Sequence, residues 1–490
     1  MAKRYFNYRT LGDLRRDAER LGIDLPLLED RGEIRHWLSR PVEILGREGR
    51  SWRIGNSLAI HPMEGCDGEL DGRPGELTFR RYRRFGAGGA KLVWFEASAV
   101  VPEGRANARQ LWIHAGSAKA LAELLEECRR AHEREFGSRE GLVAVLQLTH
   151  SGRYSHPKPL IAYHHPILDQ YPYASLATAP PRTAPCDVAT DEYLAALEDR
   201  FVEAAVLARE IGFDGIDLKM VHGYLLVELL SARSRPGPYG GPLENRARFA
   251  LNVLTRIRQR VGEDFLLAVR LGVYDGVPYA VATGNVQGVP RPRPEPYPWG
   301  FGVNPASPLE PDLEEPLRLV GWLKEAGARL LNLSLGNPYV NPHLGRPYEK
   351  PNEGLYEPPE HPLLGVARHF RATAQIQQAY PDLPVVGTGY SWLQHFLLNA
   401  AAANLKLGRA RLVGVGRGAL AYPDFARDAL DKGQLDPLRT CKTLSFCTYL
   451  MRLKNHPLGQ FPTGCPPFDK EGYGEIIKQA RAAARANLKS

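Results

Sequence analysis

Short apolar runs typical of buried strands alternate eight times with longer amphipathic stretches along this chain. The predicted strands are residues 57–63, 91–97, 142–148, 215–220, 265–271, 329–334, 384–387 and 411–416. The stretches between them show helical periodicity, as at 191–211 and 243–261. Alternating strands and helices build parallel sheets, and eight repeats favour a closed barrel over an open sheet. The sequence therefore predicts an α/β fold, a (β/α)8 TIM barrel.

The predicted barrel occupies residues 51–432, and mostly helical extensions flank it at 1–50 and 433–490. A chain of 490 residues would suggest two or three domains, but barrels often run long as one unit. Three long irregular segments rich in Pro, Gly, Tyr and His follow predicted strands, at 151–189, 274–311 and 336–362. Barrel enzymes elaborate the loops on this side, so we expect the functional site there.

Composition narrows the classes of partner. The net charge is +8, but Lys and Arg are mixed with Asp and Glu along the chain, so no nucleic-acid partner is expected. No stretch approaches the roughly 20 apolar residues that span a bilayer, and the charged N-terminal stretch lacks the apolar run of a signal peptide. Six cysteines in a chain this long do not suggest a disulfide framework. We therefore expect a cytoplasmic protein without membrane contact.

Polar side chains recur near the C-terminal ends of the predicted strands: Glu64, Glu96, Gln147, Lys219, Arg270 and Arg417. In the fourth strand the side chains alternate, so that Ile216 and Leu218 face the helices while Asp217 and Lys219 face the barrel interior. The fifth strand repeats this pattern, with Arg270 inward. Charges inside a packed barrel are costly unless something pairs with them. One such group could form a structural salt bridge, but a ring of them predicts a bound polar ligand.

Several motifs occur together in a specific order. The strongest are GFDGIDLKMVHGYLLVELLS at 212–231 and YGGPLENRARF at 239–249. The supporting motifs are HPM at 61–63, FEASAV at 95–100, QLTHSGR at 147–153 and VGVGRGALAYPDF at 413–425. Through them, residues from about 56 to 427 resemble the old yellow enzyme family of FMN-dependent ene-reductases. The resemblance implies FMN at the C-terminal ends of the barrel strands, with NAD(P)H as the reductant.

The resemblance also implies which residues bind the cofactor: Pro62, Met63, Glu64, Ala97, Gln147, Arg270, Gly387, Gly389, Gly416 and Arg417. By this resemblance, the first four lie beside or pack on the flavin ring, and Gln147 bonds its pyrimidine edge. Arg270 falls where the family keeps a cation beside flavin N1, and a guanidinium suits the negative charge that the reduced flavin carries there. The remaining residues match the phosphate loops after strands seven and eight. Gly387 and Gly416 could instead mark tight turns only.

Lys219, His222 and Tyr224 form a K-x-x-H-x-Y pattern where relatives usually carry H-x-x-H-x-Y or H-x-x-N. The resemblance implies that the first two positions grip the activating oxygen of the substrate and that Tyr224 donates a proton. Lys219 departs from the family, as does Glu64, which replaces the usual Thr or Cys beside flavin N5. The ammonium could bind a substrate oxyanion or carboxylate, or Glu64 could neutralise it. The sequence leaves both interpretations open.

The function that these residues predict is NAD(P)H-driven reduction of an activated C=C bond in a small-molecule substrate, with Tyr224 as the proton donor. The substrate would be anionic if Lys219 binds it. Lys219 and His222 would polarise the activating group. One alternative is a flavin-dependent dehydrogenase that oxidises a C–H or amine substrate. Another is a flavin-binding protein without turnover. The substrate, the choice between NADH and NADPH, and a homo-oligomeric state all stay open.

Cys441, Cys447 and Cys465 raise the question of a metal. Larger relatives, such as dienoyl-CoA reductases, hold an iron–sulfur cluster after the barrel on a C-x-x-C-type run. Here five and seventeen residues separate the three cysteines, and the sequence offers no close fourth. Cluster ligation normally takes four thiolates. We therefore expect no metal, and buried structural cysteines instead.

Overall fold

The computed structural model describes residues 4–46, 49–172, 186–281, 286–349, 355–453 and 455–487. Parts of the three irregular segments named above lie outside these residues. Eight parallel strands close a barrel: β1 Leu58–Ile60, β2 Leu92–Ala99, β3 Val143–Thr149, β4 Gly215–Met220, β5 Leu266–Gly272, β6 Leu330–Ser334, β7 Val385–Gly387 and β8 Leu412–Val415. Each strand pairs with the next along the chain, and β8 closes the barrel on β1. The predicted TIM barrel is confirmed.

Helices surround the barrel and extend beyond it. In chain order they are α1 Leu11–Arg20, α2 Arg31–Ser39, α3 Glu76–Ala87, α4 Ala115–Phe136, α5 Asp191–Ile211, α6 Leu225–Leu230, α7 Leu243–Val261, α8 Glu314–Glu325, α9 Pro342–Gly345, α10 Pro362–Ala379, α11 Leu397–Lys406, α12 Arg417–Ala421, α13 Phe425–Lys432, α14 Phe446–Arg452 and α15 Lys470–Asn487. The two helices predicted at 191–211 and 243–261 are confirmed as α5 and α7. Thr190 caps α5 by accepting from the Tyr193 N–H, as N-terminal hydroxyls commonly do.

An antiparallel hairpin, Val42–Leu45 paired with Ser51–Ile54, closes the N-terminal end of the barrel. Its inward side chains pack in one cluster with the interior residues of the strands: Val42, Ile44, Ile54, Ala59, Leu92, Trp94, Val143, Val145, Leu266, Ala268, Leu330, Val386 and Leu412. This hairpin spans the predicted boundary between the N-terminal extension, 1–50, and the barrel, 51–432. Since apolar side chains fill this end, polar groups inside the barrel gather at the opposite end.

The C-terminal extension crosses that opposite end. Its Asp469 accepts bonds from Arg80 and Arg84 of α3, at 2.6 and 2.5 Å. The Thr463 N–H donates to the Gly65 carbonyl at 2.6 Å, beside the end of β1. These bonds hold residues of the extension over the mouth of the barrel. Two further pairs of short strands lie in loops, Leu160–Ile161 with Asp187–Val188 and Tyr279–Val281 with Gly288–Pro290. Within the residues described, no helix has both the length and the apolar character needed to cross a membrane.

Candidate active site

A cavity with about 1170 Å³ of space, part of it open to solvent, lies at the C-terminal ends of the barrel strands. All of the site residues predicted from the sequence line this cavity except Gly387. They come from seven different segments of the chain, which parallel closure brings to one end of the barrel. The structure thus gathers the predicted cofactor-binding and catalytic groups in one place.

Gly387 ends β7, and a side chain there would point away from the cavity. A Cβ at this position would lie 3.2 Å from the Tyr390 hydroxyl and 3.4 Å from Ala410. The two residues that follow, Thr388 and Gly389, line the cavity instead. Gly389 has a φ of 93°, a left-handed conformation that favours glycine. The turn after β7 therefore brings backbone to the cavity one residue later than Gly387.

Gln147 and Arg270 line the floor of the cavity, and Asp217 is buried behind Gln147. The Gln147 side-chain N–H donates to one Asp217 oxygen at 2.6 Å. The other Asp217 oxygen and the Arg270 Nε have no partner among the residues described. Burial raises the pKa of Asp217 to about 7 and lowers the pKa of Arg270 to about 10, so Arg270 stays cationic at neutral pH. Buried polar groups normally have partners, so this floor suits a ligand edge that both donates and accepts hydrogen bonds.

His61 also lines this polar floor, and Asn332 is buried behind it. The Asn332 amide N–H donates to His61 Nδ1 at 3.1 Å, while His61 Nε2 and the Asn332 oxygen lack partners in the described part of the chain. Burial and the nearby Arg270 hold the pKa of His61 well below its ordinary value, so the imidazole is neutral. Sequence reasoning quoted His61 within a motif without assigning it to the site. Asn332 belongs to none of the quoted motifs, and the sequence predicted it only as part of the strand at 329–334.

The turn after β4 brings the predicted catalytic residues together. His222 and Gly223 have φ values of 67° and 72°, which reverse the chain so that Tyr224 lies over the strand end. The Lys219 ammonium lies 3.6 Å from the centre of the Tyr224 ring. The Tyr224 hydroxyl lies 3.0 Å from that of Tyr339, a cavity residue that sequence reasoning missed. An ammonium, an imidazole and a phenol therefore meet at one wall of the cavity.

The protonation states of these groups follow from their burial. Burial raises the pKa of Tyr224 well above its ordinary value, with a further contribution from Tyr339, so the phenol keeps its proton. Burial and the charges of Arg270 and Lys219 hold the pKa of His222 well below its ordinary value, which leaves a neutral imidazole. Both side chains can donate a hydrogen bond to an oxygen placed between them.

Lys219 and Glu64 do not form the direct ion pair that the sequence left open. Among the residues described, the Lys219 ammonium and the Glu64 carboxylate do not approach within 4.0 Å of each other. The Glu64 carboxylate instead accepts from the Asn107 amide at 2.8 Å and the Gln110 amide at 3.2 Å. Burial lowers the pKa of Lys219 to about 8, although the charge of Glu64 opposes that change. Burial in turn raises the pKa of Glu64.

Arg417 and Arg346 define the other end of the cavity. Arg417 donates from one nitrogen to the Pro347 carbonyl at 2.7 Å, and Arg346 donates from one nitrogen to the Ser445 hydroxyl at 3.1 Å. The second terminal nitrogen of each guanidinium is buried and has no partner in the described ranges. Gly389 and Gly416 line the same end. Two cations with unused donors beside glycine backbone suit a phosphate group.

Flavin mononucleotide matches the polar groups at the two ends of the cavity. Its pyrimidine edge carries donors and acceptors that would satisfy Gln147 and Arg270. Its phosphate would satisfy the unused N–H groups of Arg417 and Arg346. The buried atoms without partners at both ends thus fit this cofactor on the chemistry of the donor set.

Glu96 belongs to a structural network outside the cavity wall, unlike the other strand-end charges. It forms an ion pair with Arg81, which also contacts Asp67 at 2.6 Å, and it accepts from the Gly65 N–H at 2.9 Å. All three charged side chains are buried. The expectation that it joins a ring of charges around the ligand is therefore wrong for this residue. Its partner lies on α3, which the strand pattern alone does not reveal.

The C-terminal extension contributes four cavity residues that the sequence did not assign to this site: Cys447, Thr448, Met451 and Thr463. Cys441, Cys447 and Cys465 are free thiols. Within the residues that the structure describes, no group of three or more His, Cys, Asp or Glu side chains is arranged to hold a metal ion. The extension thus completes the cavity wall with small and apolar side chains.

Comparison with known proteins gives consistent matches. The NADH:flavin oxidoreductase / NADH oxidase family model matches residues 53–285. An NADH oxidase of Thermoanaerobacter brockii is 26% identical over 396 residues, which are 79% of this chain and 50% of that protein. An NADPH dehydrogenase of Bacillus velezensis is 29% identical over 382 residues, which are 77% of this chain and 90% of that protein. The chain therefore spans about half the length of the first relative and most of the second.

Solved structures share the fold. The old yellow enzyme homologue from Zymomonas mobilis matches with a TM-score of 0.56 at 19% identity, over 81% of this chain and 94% of that chain. At this identity the likeness shows the barrel architecture alone. The family model and the curated relatives add the sequence evidence, and the ordered motifs agree with both. The family model, these relatives and the shared barrel together support the old yellow enzyme family of NADH:flavin oxidoreductases for this chain.

Proposed function

We propose that this chain is an FMN-dependent NAD(P)H oxidoreductase that reduces an activated C=C bond in a small substrate. The observation that carries the proposal is a single cavity with unpaired polar groups at both ends and a buried, protonated Tyr224 in its wall. The names of the two relatives, NADH oxidase and NADPH dehydrogenase, support NAD(P)H as the reductant. When bound, FMN would supply the hydride chemistry that protein side chains lack.

The floor and the far end of the cavity hold and orient the cofactor in this proposal. Gln147 is held by Asp217, so its amide has one orientation toward the ligand. Arg270 places a fixed positive charge at the same edge, where it needs no reorganisation to act. Arg417 and the glycine backbone after β7 and β8 bind the phosphate. Because these contacts come from barrel strands, the reacting face of the cofactor is set by the fold.

Tyr224 and His222 act on the substrate. The raised pKa of Tyr224 keeps a proton on its hydroxyl, which it donates to the substrate carbon. Tyr339 lies within hydrogen-bond distance of that hydroxyl and can pass a replacement proton to it. His222 is neutral, so it donates a hydrogen bond to the activating oxygen without adding charge.

Flavin content provides the test of the central claim. We expect the purified protein to be yellow and to release about one FMN per chain on denaturation, because the polar atoms at both ends of the cavity have no other partners in the described residues. Chromatography of the released chromophore distinguishes FMN from FAD and riboflavin. A protein that retains no flavin after incubation with FMN contradicts the proposal.

Substitution of Lys219 tests whether the substrate is anionic or neutral. Its ammonium faces the cavity with no carboxylate within 4.0 Å among the described residues, so we propose that it binds an anionic activating group. Lys219→His should lower kcat/KM for an unsaturated carboxylate about tenfold and spare a neutral enone, since hydrogen bonds to charged groups are stronger than neutral ones. Steady-state kinetics with both substrates measures the difference. The exposed Lys119→His variant is the control, and equal losses for the two substrates contradict an anion-binding role.

The same residue predicts a pH dependence. The pKa of Lys219 is lowered to about 8, so its ammonium is present below that pH and is lost as the pH rises through it. For the wild-type protein, kcat/KM for the carboxylate substrate should therefore fall above pH 8, whereas the neutral substrate should show no such fall. The Lys219→His variant should lose the difference between the two profiles.

A further inference from the structure

We propose that Arg346 is a second phosphate-binding residue, which together with Arg417 binds one phosphate monoester, the phosphate of FMN. This inference rests on the proposed function, because it takes FMN to be the ligand of the cavity. It assigns a role to a residue in the loop after β6, whereas the expected phosphate loops follow β7 and β8. It also gives the C-terminal extension a part in cofactor binding.

The donor geometry of the two arginines is matched. Each guanidinium lines the cavity, and each uses one terminal nitrogen to bond the protein, Arg346 to Ser445 and Arg417 to Pro347. The other terminal nitrogen, Nη2 of Arg346 and Nη1 of Arg417, is buried without a partner among the described residues. The bonds to protein hold the guanidinium planes in place, so the unused donors are ordered before a ligand arrives. A phosphate presents enough acceptor oxygens for both.

The charge balance at this end also requires an anion. No carboxylate lies within 4.0 Å of either guanidinium in the described part of the chain. Burial and the charge of Arg417 lower the pKa of Arg346 to about 9, and Arg452 adds to that effect. Buried like charges without a counter-ion are costly. A phosphate monoester carries about −1.5 to −2 charges at neutral pH and would compensate both arginines, which one carboxylate would not.

The surroundings of Arg346 place it with the phosphate end of the cavity. The neighbouring charges that most affect it are Arg417 and Arg452. Those that most affect Lys219 are Glu64 and Arg270. The charge of Arg346 also lowers the pKa of His222, so it reaches the substrate wall as well. The assignment to the cofactor phosphate therefore rests on the neighbouring Arg417, which carries the matching unused donor.

The C-terminal extension holds Arg346 in position. Ser445 accepts its hydrogen bond, and the Glu349 N–H donates to the Thr443 carbonyl at 3.3 Å, which ties the loop after β6 to the extension. The Tyr348 ring lies 5.3 Å from the Arg346 guanidinium carbon. Ser445→Ala should therefore weaken FMN binding less than a substitution of Arg346 itself, because it removes the support and keeps the charge.

Comparison of FMN with riboflavin tests the inference, since the two ligands differ only in the phosphate. Dissociation constants are measured by flavin fluorescence with flavin-free full-length protein. We expect Arg346→Gln to weaken FMN binding about 10- to 100-fold and to leave riboflavin binding within about twofold. Arg346→Lys should recover part of the loss, because it keeps the charge without the planar donor pair. Arg200→Gln, an exposed arginine on α5, is the control. Unchanged riboflavin binding shows that the variant is folded.

The outcomes separate the two proposals. If the wild-type protein binds neither flavin, the proposed function fails. If the wild type binds FMN but Arg346→Gln weakens both flavins equally, Arg346 only shapes the cavity and the inference is wrong. It is also wrong if FMN binding is unchanged while the KM for NADPH or for a phosphate-bearing substrate rises, since the phosphate then comes from another ligand. A loss confined to FMN supports it.

Discussion

Tyr224→Phe is expected to lower kcat for reduction of an activated alkene about 100- to 10,000-fold, the usual contribution of a positioned general acid. The substitution removes only the hydroxyl, which lies 3.0 Å from Tyr339 and keeps its proton because burial raises the pKa of Tyr224. The ring itself remains to pack beneath the Lys219 ammonium. Substrate binding should therefore change much less than turnover.

Stopped-flow measurement of the two half-reactions provides the decisive comparison. Reduction of the bound FMN by NADPH should proceed at the wild-type rate, and only the step that consumes the alkene should slow. Tyr274→Phe is a matched control, because Tyr274 is also buried and its hydroxyl bonds a backbone carbonyl, that of Pro308, outside the cavity. An equal loss in both half-reactions, or normal turnover, would rule out Tyr224 as the proton donor.

Arg270→Met is expected to slow reduction of the bound FMN about 100- to 1,000-fold and to lower its midpoint potential. Removal of one preorganised donor costs about 3 kcal/mol, which corresponds to about 60 mV for a two-electron couple. The physical reason is that Arg270 stays cationic at neutral pH, with a pKa of about 10, and offers a buried N–H without a partner among the described residues. A reduced, anionic flavin would lose that stabilisation.

The midpoint potential is measured by anaerobic dye equilibration at neutral pH. Arg270→Lys should lie between the wild type and the methionine variant, because it restores the charge but not the planar arrangement of donors. FMN content should be measured in parallel, so that a weaker cofactor complex is not mistaken for a changed potential. An unchanged potential in fully loaded Arg270→Met protein would place the cation away from the flavin.

The residues on barrel strands were predictable from the sequence. Side chains in a strand alternate between two faces, so the inward positions of Asp217, Lys219 and Arg270 follow from local pattern alone. Parallel strands in a closed barrel all end at the same side, so strand-end residues as distant as Gln147 and Arg417 could be expected in one cavity. Both expectations match the structure, since Gln147, Lys219, Arg270 and Arg417 line the same cavity and Asp217 bonds Gln147 behind it.

The partners of those residues could not be predicted. Glu64 bonds Asn107 and Gln110 instead of Lys219, and Glu96 pairs with Arg81 on a helix. Each of these pairs forms because two segments that are far apart along the chain lie close together in the folded structure. Sequence patterns carry no information about such distances, so two carboxylates that looked alike along the chain have different roles.

The sequence by itself determined the barrel, its eight strands and most of the residues at its mouth, because periodicity and ordered motifs are local properties of the chain. Tertiary structure alone decided the rest of the cavity: Arg346 and Tyr339 come from an irregular loop, and Ser445 comes from the C-terminal extension. These segments lack the periodic hydrophobic pattern from which the positions of side chains can be predicted. Their side chains reach the site only because packing of the extension and the loops across the barrel mouth brings them there.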